Sequence, residues 1–176
     1  MIKQTIFFVL AVAFQLAILA SVPAKQIHAR LTGRLITIRT APVDPYDLLS
    51  GYHVVLTYEI SRPSPEQWGG LADNRSSGTV VYAVLKQGPE NVWQLERLAE
   101  KLPQDLGPDQ IALQGKIQGN RIAYGIEHFF IPEEGRRELE SALRQNQQRA
   151  LAEIRVDRYG HAALIRLIVN GKPYEY

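Results

Sequence analysis

The 176-residue chain contains no cysteine. That absence removes disulfides, thiolate metal ligands and a cysteine nucleophile together. It leaves the redox compartment open, because a domain with an adequate core needs no bridges. Concentrated charge is missing as well. The 20 Lys and Arg are set against 18 Asp and Glu, for a net charge of +2, and no basic run is dense enough to neutralise a phosphate backbone. Nucleic acid is therefore not an expected partner. No glycine-rich phosphate loop occurs: Gly69-Gly70 lacks the following helix and lysine that would hold a nucleotide. His28, His53, His128 and His161 stand isolated, with no i, i+4 pair on a helix and no carboxylate pattern of a zinc site. They read as incidental, and no metal or cofactor is expected.

Against these gaps stands one long uncharged run. Residues 4–24, QTIFFVLAVAFQLAILASVPA, carry no charge. At about 1.5 Å per helical residue such a run crosses a hydrocarbon core about 30 Å thick. Two readings compete: a retained anchor, and a cleaved secretory signal with its site at Val22-Pro23-Ala24. The anchor is preferred, because the apolar core from Ile6 to Ala20 is long for a signal and a proline before the cut disfavours the peptidase. A soluble buried helix is the plainest alternative, but the run has no polar face, and Gln15 is its one strongly polar interruption. Lys25, Arg30, Arg34 and Arg39 follow the span, which by the positive-inside rule favours a cytoplasmic domain. A large domain behind a signal-like span is nevertheless often exported, so the expectation is a single-pass membrane protein with an extracytoplasmic domain. The division predicted is an anchor over 1–24, a juxtamembrane linker over 25–33 and a β-rich domain over 34–176.

Beyond the span the hydrophobic period becomes two. In GRLITIRT, Ile36 and Ile38 share one face, which predicts a strand with a buried side. Pro42, Asp44 and Pro45 form a turn, with Asp44 suited to cap a short helical turn. Tyr52, Val54, Leu56, Tyr58 and Ile60 then alternate with His53, Val55, Thr57 and Glu59, predicting a strand of roughly ten residues. Residues 61–78 read as a long exposed loop. TVVYAVLK and VWQLERLAE flank a turn at QGPEN, QIALQGKI and RIAYGIEHFF flank QGN, and RALAEIRVD and HAALIRLIVN flank RYG. Residues 131–148 read as the one soluble helix, with a charge-laced face of Glu133, Glu134, Glu138 and Glu140 beside Arg136, Arg137 and Arg144. The predicted fold is mainly β (α+β). One transmembrane helix precedes a curled antiparallel sheet, barrel-like or sandwich, of about seven strands, with one helix before the last hairpin. Tyr52, Tyr58, Tyr82, Trp93, Tyr124, Phe129 and Phe130 are expected to fill the core. Trp68, in the long loop, is expected to be exposed and available to a partner or the bilayer interface.

The run PVDPYDLLSGYHVVLTYEIS resembles the signature of the GDYXXLXY family, bacterial membrane-associated proteins of unknown function. Gly51, Leu56 and Tyr58 match the motif, and Asp44, Pro45, Leu48 and Leu49 suit its lead-in. Tyr52 and His53 depart from it, standing where the family has aspartate and tyrosine. RIAYGIEHFFIPEEGRRELE and AEIRVDRYGHAALIRLIVNGKP resemble later blocks of the family. The resemblance implies a membrane-anchored, strand-rich domain and supplies no activity. It makes Asp44, Pro45, Gly51, Tyr52, His53, Leu56 and Tyr58 motif positions, mostly structural.

PYDLLSG also mimics a stretch of the signal-peptidase type of serine peptidase. There the nucleophilic serine lies three residues before the proline, and here that position is Pro42. Ser50 lies on the wrong side, which leaves Lys86 a base without a nucleophile. Glu127 and His128 are adjacent, and adjacent residues of a strand face opposite sides. No catalytic residue is assigned. The expectation is a membrane-anchored accessory or interaction domain without catalytic activity, held to lipid by its amino-terminal helix and facing another membrane protein. The alternative is a membrane-bound hydrolase whose site is assembled from dispersed residues such as His53, Glu59 and Asp44.

Overall fold

The computed structural model describes residues 2–41, 49–50, 53–71, 76–130 and 150–175. Helix α1 (Ile2–Thr32) takes up the apolar run and does not stop where the run ends: residues 25–32, expected as a linker, continue it. Pro23 lies inside this helix, where it removes one backbone donor and crowds the preceding turn. Residues 6–19 and 23–32 are correspondingly bent by 51°. Among the described residues no single helix is long and apolar enough to cross a membrane, and the two arms meet that test only as a bent pair.

Twelve strands are described: β1 (Arg34–Ala41), β2 (Leu49–Ser50), β3 (His53–Val55), β4 (Thr57–Tyr58), β5 (Val80–Gln87), β6 (Val92–Ala99), β7 (Gln110–Gln118), β8 (Arg121–Ala123), β9 (His128–Phe130), β10 (Leu151–Val156), β11 (Ala162–Val169) and β12 (Lys172–Glu175). The fold is mainly β. Eight strands form one curled open sheet, a half-barrel in the order β12-β11-β10-β1-β6-β5-β7-β8, with β4 added beside β1; β2, β3 and β9 form a smaller sheet. The main sheet is not wholly antiparallel as expected, because β1 and β6 pair in parallel through Thr37–Val92 and Ile38–Trp93. Its curl brings distant strands together: Gln114 of β7 donates its backbone N–H to the carbonyl of Gly160, in the β10–β11 turn, at 2.8 Å. Gly160 has φ +85°, and a Cβ there would meet Gln114 N at 3.0 Å, so the close approach needs glycine on both counts.

Part of the excess over seven strands has local causes. The ten-residue strand expected from Gly51 breaks at Leu56, whose N–H turns to the carbonyl of Glu127 at 2.7 Å, and a 3-10 turn follows over Glu59–Ser61. The strand expected over 121–130 breaks at Gly125 (φ +78°). Glu127 precedes β9 rather than lying in it, and its carboxylate accepts the backbone N–H groups of Tyr124 and Gly125. The strand rule therefore does not govern Glu127 and His128, which line one pocket together. The helix expected over 131–148 lies outside the described residues.

Trp68 is a further correction. It closes α2 (Pro65–Trp68), a single turn with a complete capping box: Ser64 and Gln67 exchange side-chain and backbone hydrogen bonds, and Pro65 opens the helix. The cap folds the segment inward and leaves Trp68 1% exposed. It is core, with Tyr58, Phe129, Leu85, Leu113 and Ile154. Gly115 of β7 shows how closely that core is filled, because a Cβ there would run into Ile122 and lie 3.0 Å from ring carbons of Tyr124. Gly115→Val should therefore destabilise the domain by about 1–3 kcal/mol through overpacking. A urea midpoint equal to wild type would contradict the close packing of Tyr124 on this strand.

Candidate functional site

The motif strand comes first. Asp44, Pro45, Gly51 and Tyr52 lie outside the described residues. His53 is in β3, in register with Ser50 of β2 and Phe130 of β9. Leu56 and Tyr58 are buried. The Tyr58 hydroxyl donates to the carbonyl of Ile126 at 2.6 Å, and the Tyr124 hydroxyl donates to the carbonyl of Ile60 at 2.7 Å. These reciprocal bonds clasp residues 58–60 to residues 124–126 and satisfy two loop carbonyls that burial would otherwise leave unpaired. Burial pushes both phenols well above the usual tyrosine range, and the Glu127 carboxylate adds to the shift. Both hydroxyls remain protonated donors and hold the loops together, with no part as acids or bases near neutrality.

Of the residues weighed for hydrolysis, Asp44 lies outside the described residues. Ser50 belongs to the small sheet and Lys86 to the main one. Lys86 is paired instead with Asp109 at 3.8 Å, both half-exposed. Glu59 is exposed on its 3-10 turn. Among the described residues no group of three or more histidines and carboxylates could hold a metal ion.

A different cluster does assemble, around Asp157. This residue opens the β10–β11 turn, and its carboxylate Oδ1 accepts the backbone N–H groups of Tyr159 and His161, both at 2.9 Å. That is the local turn chemistry for which Asp is favoured. Oδ2 meets Nδ1 of His161 at 3.2 Å and, across the molecule, Nδ1 of His28 on α1 at 2.7 Å. The Asp157 side chain is fully buried, and the His28 ring is 44% exposed. Desolvation alone raises a carboxylate pKa. Here the bonds from His28, Tyr159 and His161 outweigh it and hold Asp157 below its ordinary value of 3.8. The carboxylate is thus charged, so both imidazoles turn a protonated Nδ1 toward it. The Tyr159 ring stands 5.9 Å from that of His28 and 6.1 Å from that of His161, and Arg158 covers it at 4.8 Å.

A buried Asp orienting a half-exposed His is an arrangement also found in nucleophilic catalysis. The Thr32 hydroxyl, 3.4 Å from Nδ1 of His28, donates to the carbonyl of His28 at 2.9 Å, so the ring does not take its proton. What the cluster does is join α1 to the sheet. Ala29, next to His28, is wholly buried. Gly33 ends the helix so close to β10 that a Cβ there would lie 2.8 Å from Val156 N. The histidines read as incidental in the sequence are, in the cases of His28 and His161, two arms of this junction.

The family model of the GDYXXLXY protein matches residues 15–167, from the middle of α1 to near the end of β11. The chain belongs to the GDYXXLXY family. No curated protein and no solved structure matches it. In this GDYXXLXY protein the match takes in the second half of α1, the clasp of Tyr58 and Tyr124, and all three members of the His28–Asp157–His161 junction. Its signal was half visible. Asp157 at the start of a hairpin turn is readable as turn chemistry, whereas nothing local to His28 indicates its partner 129 residues away.

Proposed function

We propose that this chain is a membrane-tethered β domain, acting as an accessory or interaction module and not as a catalyst. The observation that supports this reading is the contrast along α1. Residues 6–19 are exposed throughout, with Phe7 72% exposed and Phe8 and Phe14 similar, while Ala29 and the His28 contact seat the other arm on β10 and β11. An apolar surface of that size, interrupted by Gln15 alone, does not persist in water, and a bilayer is the cover it suits. The bent pair passes for a span by length and composition. Tethering raises the effective concentration of the sheet near other membrane proteins, which is how a domain without chemistry contributes.

Cell fractionation tests the reading. The full chain should sediment with membranes, resist extraction by alkaline carbonate, and retain its amino terminus on intact-mass measurement. Recovery in the wash, or a mature chain beginning at Lys25, would contradict it. The β domain is placed in this proposal on the extracytoplasmic face, so protease added to cells with opened outer layers should degrade it. A hydrolase reading built on the Asp157–His28 pair, in place of the His53, Glu59 and Asp44 weighed from the sequence, requires that His28→Ala abolish a hydrolytic activity of the intact chain.

A further inference from the structure

Two clefts lie where α1 meets the sheet, and they share the wall formed by Pro23, Gln26 and Gly125. Gln26 crosses this shared wall, donating from Nε2 to the carbonyl of Gly125 at 3.3 Å. On one side is an apolar chamber of about 410 Å³ between Ile27 of the helix and Ile126, Ala163 and Leu164 of the domain, with Arg30 and His128 also lining it. On the other is a chamber of about 350 Å³ with Lys25, Gln114, Tyr124 and His161 in its walls. Both volumes are in the range of small-molecule sites, about 300–1,000 Å³.

The charge of these walls is one-sided. Among the described residues, no carboxylate lines either chamber, while Lys25 and Arg30 each bring a fixed positive charge. His161 also lines the second chamber, but its Nδ1–H is taken by Asp157, so the remaining Nε2 of the neutral ring is an acceptor and the fixed cation there is Lys25. A chamber with Lys25 in its wall, joined to a mainly apolar one that Arg30 also lines, suits a molecule with an anionic head and a hydrocarbon tail. The position along the helix selects its source. Pro23 follows Leu19 by four residues, about 6 Å at 1.5 Å per residue. If the exposed apolar arm lies in hydrocarbon, the shared wall then sits at headgroup depth.

We propose that this paired cleft binds an anionic phospholipid of the bilayer, its phosphate against Lys25 and the upper part of one acyl chain between Ile27, Ile126 and Leu164. The inference rests on the tether reading above. It makes the β domain a reader of the membrane's headgroups as well as a passenger on it. A bound lipid touches α1, the β8–β9 connection and β11 at once, and so stabilises the seated position of the helix by mass action.

The test uses the full chain reconstituted into phosphatidylcholine vesicles carrying a trace of phosphatidylglycerol with a photoactivatable acyl chain. A parallel sample carries the same probe group on phosphatidylcholine. Flotation is measured first, and adducts are then mapped by peptide mass. The phosphatidylglycerol probe should label the peptides containing Ile126 and Leu164 several-fold more than the phosphatidylcholine probe. Unlabelled phosphatidylglycerol should compete, and inorganic phosphate should not. Lys25→Glu, at an exposed position, should abolish the headgroup preference without changing flotation. Leu164→Trp should block labelling of the cleft; if that variant does not fold, Lys25→Glu decides the matter. Equal labelling by both probes, adducts confined to residues 6–19, a preference that survives Lys25→Glu, or competition by inorganic phosphate would each overturn the lipid site while leaving the tether intact. A wild-type chain that does not float overturns the tether, and the lipid site with it.

Discussion

Tyr58→Ala should lower the stability of the β domain by about 3–5 kcal/mol, the cost of removing a large, fully buried ring from a core that relaxes only in part. The ring is completely buried and touches the same cluster as Trp68 and Phe129, and its hydroxyl is the partner of the Ile126 carbonyl. Tyr58→Phe separates the two contributions. It keeps the ring and leaves the carbonyl unpaired, so it should cost about 1–3 kcal/mol. Chemical denaturation followed by circular dichroism measures both. A Tyr58→Ala midpoint close to wild type would mean that the final tyrosine of the motif is not a core residue, and a neutral Tyr58→Phe would remove the clasp between residues 58–60 and 124–126.

The second large effect is expected at Asp157. Asp157→Ala strips the acceptor from two backbone N–H groups of the β10–β11 turn and from both imidazoles, a loss of about 2–4 kcal/mol. The pH dependence carries a definite sign. The folded-state pKa of Asp157 is lowered from 3.8, so its contribution to stability is fully present above about pH 3.8. It is lost as the pH falls through the lower folded value, because the unfolded chain takes up the proton first. Asp157→Asn cannot titrate, so the stability of that variant should fall less steeply below pH 3.8 than that of wild type. Parallel acid unfolding curves would show that this carboxylate is not held down by its partners. His28→Ala should act differently, leaving the turn intact and freeing the carboxyl-terminal arm of α1, which hydrogen exchange of residues 25–32 would report.

Much of this architecture is legible in the sequence wherever a period speaks for itself. Strands β1, β5, β6, β7, β10 and β11 fall where alternation predicts them, and QGPEN, QGN and RYG are turns between hydrogen-bonded neighbours. What alternation does not carry is pairing between distant segments. The parallel contact of β1 with β6, and the return of the β10–β11 turn to β7, depend on how the sheet curls. The burial of Trp68 had a signal, the Ser-Pro-Glu-Gln run that forms a capping box, but the Pro, Gly and Ser around it read as open loop. For the junction, Asp157 and His161 are four apart and indicate a turn, while His28 lies within a run whose composition speaks only of the helix. A buried carboxylate drawing one arm from a segment 129 residues away is a property of the folded chain.

The central claim is that α1 divides at its bend, one arm in lipid and the other seated on the sheet. Because the chain has no cysteine, single cysteines for nitroxide labels can be introduced without removing any native one. Labels at Leu10, Leu16, Ile27 and Ala29 in the vesicle-reconstituted chain, read by collisional relaxation with oxygen and with a water-soluble nickel chelate, follow the helix from one environment to the next. The account predicts high oxygen and low nickel accessibility at Leu10 and Leu16, mixed accessibility at Ile27, and low accessibility to both at Ala29. High nickel accessibility at Leu10 and Leu16 would contradict it.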